Sequence, residues 1–257
     1  MALEIDLSGQ LALVTGGGRG VGRGITQRFL DAGADVVICG RTEPEELPSS
    51  GGRSATFIQA DVREAHEVEV LFDRIAADHG RLDVMVSHAG GAPSTEAATA
   101  SVRYAAAMAM LNLQAALTCG QRANDMMQAQ PEGGCIINIG SVTALRASPG
   151  TAAYGAAKAG LINLTASLAV EWAPKVRVNC VSAGLILTEQ AHLHFGDDLA
   201  VAAVAATVPL GRLGTPQDVA DACAFLASPL AGFISGANID VHGGGERLAG
   251  EAARQEP

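Results

Sequence analysis

Near its beginning the chain reads Thr15-Gly16-Gly17-Gly18-Arg19-Gly20-Val21-Gly22, between a short apolar run and an amphipathic segment. Glycine at such a point allows a tight turn, and it lets the backbone approach a pyrophosphate that the positive end of the following helix stabilises. A glycine string alone is a weak signal, because a purely structural turn is the alternative interpretation. The position of this string, after a strand and before a helix, favours a dinucleotide-binding turn.

Beyond this turn, short β-branched runs alternate with segments of helical apolar spacing, such as residues 68–75. Strands that are apolar on both faces and joined by helices predict a parallel sheet with helices on both sides. We therefore expect one doubly wound α/β domain of the Rossmann type over residues 1–257, with a core at about 9–244 and a flexible tail at 246–257. The segment Thr42–Arg53, rich in Pro, Ser, Gly and Glu, is predicted to be a loop. The predicted strands are Leu11–Thr15, Asp35–Cys39, Ala55–Gln59, Val84–Ser87, Cys135–Ile139, Val176–Val181 and Asn238–Val241.

Composition narrows the class of partner and the compartment. A net charge of −10 argues against nucleic acid and anionic membranes, since both are bound by basic patches. Residues Met1–Gln10 lack the basic cluster and apolar run of a signal peptide, and the low-charge stretch Ala152–Ala173 contains Lys158 and Glu171, which favours a buried or interface helix over a membrane span. We expect a cytoplasmic protein with reduced core thiols, because its five dispersed cysteines form no C-x-x-C pair. These are Cys39, Cys119, Cys135, Cys180 and Cys223.

The end of the second predicted strand bears on the choice of cofactor. An acidic residue about 20 residues beyond the glycine turn would bind the hydroxyls of an adenosine ribose. Here Asp35–Cys39 is followed by Gly40 and Arg41. A guanidinium offers a bidentate donor to a 2′-phosphate, and Arg19 in the turn adds a second positive charge. This pattern predicts NADP(H) in preference to NAD(H); the alternative is that Arg41 is a solvated loop residue.

A tyrosine and a lysine lie four residues apart, at Tyr154 and Lys158, in a chain that has only two of each. On a helix this spacing places both side chains on one face. A phenol has an unperturbed pKa of about 10, and a fixed ammonium beside it favours the phenolate and brings that pKa toward the range of a general acid/base. An isolated pair of this kind is otherwise typical of a solvated helix face, but the glycine turn upstream favours the catalytic interpretation.

Together these motifs resemble the short-chain dehydrogenase/reductase family over roughly residues 9 to 244. The family's glycine spacing T-G-x-x-x-G-x-G is present at Thr15–Gly22, and its catalytic pair corresponds to Tyr154 and Lys158. Ser141, thirteen residues before Tyr154, matches the family's catalytic serine, and Asn112 matches its structural and catalytic asparagine. The resemblance implies a sheet of seven strands, with the active site at the carboxyl ends of the strands.

The resemblance also implies a role for each of the four catalytic residues. Tyr154 would donate a proton to the carbonyl oxygen as hydride arrives, or remove it in the reverse direction. Ser141 would hydrogen-bond the same oxygen, Lys158 would lower the tyrosine pKa and hold the nicotinamide ribose, and Asn112 would anchor a water that connects Lys158 to solvent.

Other positions match the family's cofactor contacts. The pair Asp61-Val62 resembles the pair that contacts adenine, and Gly184, Ile186 and Thr188 correspond to the loop that meets the nicotinamide carboxamide. The full set of expected cofactor-binding residues is Gly16, Arg19, Gly20, Val21, Gly22, Arg41, Asp61, Val62, Ala89, Gly90, Tyr154, Lys158, Gly184, Ile186 and Thr188.

The chain departs from the family pattern at two points. Where the family usually reads N-N-A-G, this chain has Ser87-His88-Ala89-Gly90. We expect His88 to replace an asparagine that ties neighbouring strands together, since either ring nitrogen can hydrogen-bond; a pH-sensitive group near the cofactor is the alternative. Ala183 replaces a common proline, and the loss of a fixed φ is expected to loosen the nicotinamide loop and weaken cofactor affinity.

A metal site is not expected. His192 and His194, with Asp197 and Asp198, lie in the segment that is the family's mobile substrate lid. Two histidines two residues apart do not share a helix face, and no thiol or distant carboxylate pairs with them. The lid is apolar and alanine-rich, which favours an uncharged, mostly apolar carbonyl or alcohol as substrate.

The segments Val102–Met127 and Ala152–Trp172 carry more apolar and small residues than one core-facing stripe requires. Such an excess suggests a helix-to-helix subunit interface, and the resemblance implies a homotetramer. The sequence thus predicts an NADP(H)-dependent oxidoreductase of carbonyl and alcohol groups. The alternative is a non-catalytic nucleotide-binding or scaffold protein of the same fold, which degenerate catalytic residues would favour.

Overall fold

The computed structural model describes residues 5–189, 191 and 195–246. Its main sheet has seven strands, all parallel, in the order β5-β2-β1-β6-β7-β8-β9. These strands are β1 (Leu11–Thr15), β2 (Asp35–Gly40), β5 (Thr56–Gln59), β6 (Val84–Ser87), β7 (Gly134–Ser141), β8 (Val176–Ala183) and β9 (Asn238–Val241). A separate hairpin pairs β3 (Ser49–Ser50) with β4 (Arg53–Ser54).

The described residues form seven α-helices, five of which pack on the two faces of the sheet. They are α1 (Gly20–Asp31), α2 (Ala65–His79), α3 (Val102–Ala109), α4 (Ala115–Ala129), α5 (Ala152–Glu171), α6 (Asp198–Thr207) and α7 (Pro216–Ala227). A π-helical turn, Met110–Gln114, joins α3 to α4, and short 3₁₀ turns span Val142–Ala144 and Pro229–Ala231.

Two hydrophobic cores lie on opposite faces of the sheet, because successive strand residues point to opposite sides. Helices α1 and α7 cover one face, where Ile25 and Phe29 pack with Val219 and Leu226. Helices α2, α4 and part of α5 cover the other face, where Phe72, for example, is buried among their side chains. The result is the three-layer arrangement that strands apolar on both faces require.

The predicted architecture is confirmed. All seven predicted strands are present within two residues of their expected ends, and the sheet is doubly wound with helices on both faces. The loop predicted over Thr42–Arg53 contains the β3–β4 hairpin at its end, which no alternation in the sequence signalled. The predicted helix Val102–Met127 is interrupted by the π-helical turn, and this turn contains Asn112. Within the predicted tail, residues 247–257 lie outside the described residues.

The strand order places a crevice at the carboxyl ends of β1 and β6. The chain moves outward from β1 through β2 to β5, then returns to the other side of β1 with β6. The crossovers therefore diverge at β1 and β6, and in open α/β sheets ligands bind in the crevice at such a switch point. Among the described residues, no helix combines the length and apolar character needed to cross a bilayer.

Candidate active site

The glycine turn between β1 and α1 has no room for side chains. Gly16 and Gly20 have φ of 69° and 53°, in the left-handed region that favours glycine. A Cβ on Gly22 would lie 2.3 Å from the Gly16 carbonyl oxygen, and a Cβ on Gly17 would lie 2.5 Å from Ile38 Cγ2. The backbone of the turn thus lies close to Ile38 of β2 and to His88, which follows β6. Free amide groups at the start of a helix such as α1 favour binding of a pyrophosphate.

An acidic side chain already lies at the start of α1. The backbone N–H of Gly20 donates a hydrogen bond of 2.8 Å to Glu189 Oε1. The positive end of a helix attracts anions, so this carboxylate stands where a phosphate oxygen would be favourable. The turn therefore fits a dinucleotide on two grounds, its glycine geometry and the anion it already holds. The sequence analysis did not single out Glu189, which is adjacent to the predicted contact Thr188 but 169 residues from Gly20.

The predicted adenosine contacts lie at the other end of the crevice. Arg41 directly follows β2, and its exposed side chain is close enough to Asp61 for its charge to act on that carboxyl. Hydrogen bonds from Arg63, and further the charge of Arg41, lower the pKa of Asp61. Asp61 Oδ1 accepts from Arg63 Nε at 2.9 Å, so this carboxylate is ionised and paired within the protein. Val62 beside it is buried.

Ser141 and Tyr154 meet at the carboxyl end of β7. Ser141 Oγ accepts hydrogen bonds from the Thr143 backbone N–H at 3.2 Å and from Thr143 Oγ1 at 3.0 Å. Burial raises the pKa of Tyr154, and a hydrogen bond with Ser141 opposes that rise. The phenol is therefore protonated at neutral pH in this structure. Thr143 was missed by sequence reasoning, although a hydroxyl two residues after a serine is the spacing of a local side-chain turn.

Lys158 lies on the same face of α5 as Tyr154, one turn further along the helix. Its Nζ is 5.8 Å from the centroid of the Tyr154 ring and donates a hydrogen bond of 2.7 Å to the Ile139 carbonyl oxygen. Only 4% of the residue is exposed, and burial lowers its pKa to about 8. From the sequence we expected Lys158 to lower the pKa of Tyr154. In this structure burial raises that pKa instead, and the hydrogen bond with Ser141 opposes the rise.

Asn112 lies behind the cleft in the π-helical turn. Its Nδ2 donates to the carbonyl oxygens of Met108 and Gly91, both at 3.1 Å, and its Oδ1 accepts from the Gly91 N–H at 3.2 Å. A Cβ on Gly90 would lie 2.7 Å from Asn112 Oδ1 and 3.7 Å from Lys158 Nζ. Asn112 thus fixes the loop after β6 close to the lysine, and Gly90 is the residue that permits this approach.

His88 ties the end of β6 to the end of β1. Its Nδ1 is 3.2 Å from the Thr15 carbonyl oxygen, and its backbone N–H donates to Thr15 Oγ1 at 3.0 Å. A carbonyl oxygen only accepts, so Nδ1 carries the hydrogen. Burial, and secondly the charge of Lys158, lower the pKa of His88 to about 4. A neutral, strand-tying histidine supports the structural interpretation of this substitution. The neighbouring predicted contact, Ala89, also donates its N–H to Thr15 Oγ1, at 3.0 Å.

The predicted nicotinamide loop follows β8 and is held on both sides. The Gly184 N–H donates to the Val241 carbonyl oxygen at 2.9 Å, and Leu187 and Gly214 are joined by a backbone hydrogen bond of 2.7 Å. Ile186 pairs with Gly214 as an isolated bridge. Ala183 itself belongs to β8 and is paired with β7 and β9. These hydrogen bonds connect the loop to β9 and to Gly214, and the expected weakening of cofactor affinity by Ala183 stays a prediction.

A cavity of about 310 Å³ brings together seven of the predicted site residues: Val21, Gly90, Ser141, Tyr154, Lys158, Gly184 and Ile186. Its walls are Val21, His88, Gly90, Gly91, Ile139, Gly140, Ser141, Tyr154, Lys158, Ala183, Gly184, Leu185, Ile186 and Phe195. Asn112, Arg41 and Asp61 lie outside these walls. The predicted lid residues His192 and His194 are outside the described residues. In the part of the chain that the structure describes, no group of three His, Cys, Asp or Glu could hold a metal ion.

Known proteins are similar to this chain over nearly its whole length. A family model described as enoyl-(acyl carrier protein) reductase matches residues 16–246. A 3-oxoacyl-(acyl-carrier-protein) reductase of Chlamydia pneumoniae is 36% identical, covering 94% of this chain and 99% of its own. A cis-4-hydroxycyclohexanecarboxylate dehydrogenase of Sinomonas cyclohexanicum is 36% identical, covering 91% of this chain and 96% of its own. The ligand-free structure of an aldohexose dehydrogenase of Thermoplasma acidophilum has a TM-score of 0.87 at 31% identity, covering 94% of this chain and 96% of its own.

Proposed function

The chain belongs to the short-chain dehydrogenase/reductase family and is an oxidoreductase of that family, and from this premise we propose that it interconverts a ketone or aldehyde and an alcohol with NADP(H). The observation that carries the proposal is the convergence of Ser141, Tyr154 and Lys158 on one cavity beside the glycine turn. A proton donor, a hydrogen-bond partner for it and a buried cation at a dinucleotide crevice are the groups that carbonyl reduction needs.

The chain's own residues supply the proton and the positioning. In the direction of reduction, Tyr154 donates its phenolic proton to the carbonyl oxygen, and the C=O bond becomes C–OH. A nicotinamide cofactor, when bound in the crevice, would supply the hydride for the new C–H bond. Ser141, oriented by Thr143, hydrogen-bonds the same oxygen, so that oxygen is held within reach of the phenol. The Lys158 ammonium stabilises the phenolate that remains. In oxidation the phenolate takes the proton back.

NADP(H) preference is the finer part of the proposal, and Arg41 supports it. It follows β2 at the position where an acidic residue would repel a 2′-phosphate. We expect the kcat/KM of the wild-type enzyme to be higher with NADPH than with NADH. In an Arg41→Ser variant kcat/KM with NADPH should fall about 10- to 100-fold, while kcat/KM with NADH changes little. Arg74→Ser, on the remote helix α2, is the matched control. Equal efficiency with both cofactors in the wild type would refute the preference.

The catalytic part is tested with the two tyrosines. Oxidation of NADPH is followed by the loss of its absorbance at a wavelength of 340 nm, with a panel of ketones and aldehydes as substrates. Tyr154→Phe should lower kcat by about 100-fold or more while the Kd of NADPH stays within a few-fold, because only the proton donor is removed. Tyr104→Phe, whose hydroxyl donates to the Pro93 carbonyl oxygen at 2.6 Å, should retain turnover. Full activity of Tyr154→Phe would refute the role of Tyr154 as the proton donor. NADPH binding without turnover of any compound would favour a non-catalytic nucleotide-binding protein.

The names of relatives with similar identity refer to different compounds: a 3-oxoacyl-(acyl-carrier-protein), a cis-4-hydroxycyclohexanecarboxylate and an aldohexose. The substrate of this chain is therefore proposed only as a small carbonyl or alcohol compound. We further propose a homotetramer in a reducing compartment, the cytoplasm. All five cysteines are buried and none forms a disulfide, which supports the choice of compartment.

A further inference from the structure

A second cavity of about 160 Å³ adjoins the catalytic one, and the two share Gly184 and Leu185 in their walls. The walls of the second cavity are otherwise Val142, Leu145, Arg146, His242, Gly245 and Glu246. The second cavity therefore includes Val142, which directly follows Ser141 in the chain, whereas Ser141 and Tyr154 line the first cavity. A substrate whose carbonyl carbon lies beside Ser141 and Tyr154 would place the rest of its body here.

The position of Arg146 is fixed by the turn that starts at Ser141. Its backbone N–H donates to the Val142 carbonyl oxygen at 3.2 Å, and its Nη1 donates to the Ala147 carbonyl oxygen at 2.9 Å. The side chain is 37% exposed, and it lies among the apolar walls formed by Val142 and Leu145. A guanidinium in this setting is partly desolvated and offers a two-pronged donor to a carboxylate.

A carboxylate already occupies that donor. Arg146 Nη2 forms an ion pair and hydrogen bond with Glu246, which comes from the C-terminal end of the described residues and closes the outer side of the cavity. The interaction joins residues 100 positions apart. Glu246 thus shows which ligand chemistry this corner of the cavity accepts, and it shows that one carboxylate fits beside the apolar walls.

On the basis of the proposed function, we propose that Arg146 binds a carboxylate of the substrate in place of Glu246. The substrate class is then a small keto acid or hydroxy acid, with an apolar body between its carboxylate and its reacting carbon. The sequence analysis favoured an uncharged substrate because the lid is alanine-rich. Arg146 lies outside that segment, in the turn after β7, and adds a positive charge that the segment itself does not carry.

A binding experiment that needs no turnover tests the proposal. Cyclohexanecarboxylate and its neutral counterpart cyclohexanecarboxamide are titrated calorimetrically into the NADP⁺-saturated full-length protein and into the protein without cofactor. We expect the wild type to bind the acid more tightly than the amide. Arg146→Gln should weaken binding of the acid about 10- to 100-fold and leave binding of the amide unchanged. Arg74→Gln is the control for the loss of an arginine elsewhere.

A substitution of Glu246 distinguishes two roles of Arg146: recognition of a substrate carboxylate, and a purely structural contact with the C-terminal segment. Glu246→Gln removes the competing carboxylate, so it should tighten binding of the acid about two- to fivefold. If Arg146 merely anchors the C-terminal segment, Arg146→Gln and Glu246→Gln both break the anchor and change acid binding in the same direction. Effects of the same sign, or no preference of the wild type for the acid, would overturn the proposal.

Measurements of turnover distinguish a failure of the proposed acid site from a failure of the proposed function. With 4-oxocyclohexanecarboxylate and 4-oxocyclohexanecarboxamide as substrates, Arg146→Gln should raise KM for the acid at least tenfold and leave kcat/KM for the amide unchanged. Turnover of the amide without any preference for the acid would sink the acid site and leave the oxidoreductase standing. Binding of cyclohexanecarboxylate that depends on Arg146, with no turnover of either ketone or of any compound in the carbonyl panel, would support the acid site and refute the proposed reaction.

Discussion

At the scale of single residues, the site depends on how burial acts on two ionisable side chains. Burial raises the pKa of Tyr154 and lowers that of Lys158, because both charged forms lose hydration in the cleft. The phenol is therefore a neutral proton donor before the reaction. The ammonium, with a pKa of about 8, is charged at neutral pH and becomes neutral in mild alkali. The charge states that the proposed roles require, a neutral phenol at Tyr154 and an ammonium at Lys158, are thus both present near pH 7.

The buried ammonium carries a cost that can be measured. Its pKa falls from an ordinary 10.5 to about 8 on folding. Below pH 8 both the folded and the unfolded chain bind the proton, and the folded chain bears the full burial cost, on the order of 3 kcal/mol. Between pH 8 and 10.5 only the unfolded chain keeps the proton, so this cost is relieved as pH rises.

We therefore predict that Lys158→Met is inactive but more stable than the wild type. The gain in free energy of unfolding at pH 7 should be roughly 1 to 3 kcal/mol, since the Ile139 carbonyl oxygen loses its partner. The gain should shrink as pH approaches 10.5, and urea unfolding at pH 7 and 9.5 measures it. Lys175→Met, at the other lysine, removes an exposed ammonium that donates to the Gln128 and Gln130 carbonyl oxygens. This control variant should not raise the free energy of unfolding at either pH. A Lys158→Met protein less stable than the wild type at pH 7 would contradict the burial cost.

At the scale of helices, strands and loops, the order of apolar residues predicted those features that depend on residues close together in the sequence. The strands and the 3.6-residue spacing of the helices follow from which faces are buried, and that is visible in the order of apolar residues. Tyr154 and Lys158 were also predictable as neighbours, because one helix turn separates them. The contacts of Glu189 with Gly20 and of Arg146 with Glu246 join segments far apart in the sequence. No periodicity signals such contacts, so they appear only once the fold is known.

The start of helix α1 provides a prediction at this scale. A carboxylate at a helix N-terminus is stabilised by about 0.3–1 kcal/mol, and a phosphate seeking the same amide groups competes with it. Glu189→Gln keeps an acceptor for the Gly20 N–H but removes the negative charge. The Kd of NADPH should fall about two- to fivefold in this variant, as measured by calorimetry at low salt. The gain should become smaller at high salt, because screening weakens the original repulsion.

A matched substitution distinguishes this local effect from a general change in charge. Glu132→Gln removes one negative charge from the exposed loop before β7, far from the start of α1. It should leave the Kd of NADPH unchanged within error. An unchanged Kd in Glu189→Gln, or an equal gain in Glu132→Gln, would show that the Glu189 carboxylate does not compete with the cofactor.

At the scale of the whole molecule, the doubly wound sheet explains why residues from distant segments meet. The loops after β1, β6, β7 and β8 all emerge at the same edge, because parallel strands share one direction. Each loop adds a different component: the glycine turn, the loop anchored by Asn112, Ser141 with its turn, and the loop at Gly184. The fold class was predictable from the alternation of strands and helices. The exact cleft was not, since its walls depend on how far each loop extends beyond its strand.

The assembly of several copies is the last prediction, and it concerns the outer face of α5. Its inner face carries Tyr154 and Lys158, while a stripe of small or apolar exposed residues follows the opposite side: Ala152, Ala156, Ala159, Ala166 and Val170. Such a stripe allows two helices to approach closely and bury apolar surface. We expect the wild type to sediment as a tetramer at micromolar concentration. Ala166→Arg, two turns beyond Lys158, should dissociate it to smaller species, whereas Ala77→Arg on the exposed side of α2 should not. A wild type that sediments as a 26.1-kDa monomer, or an Ala166→Arg variant that stays tetrameric, would show that this stripe does not form the subunit interface.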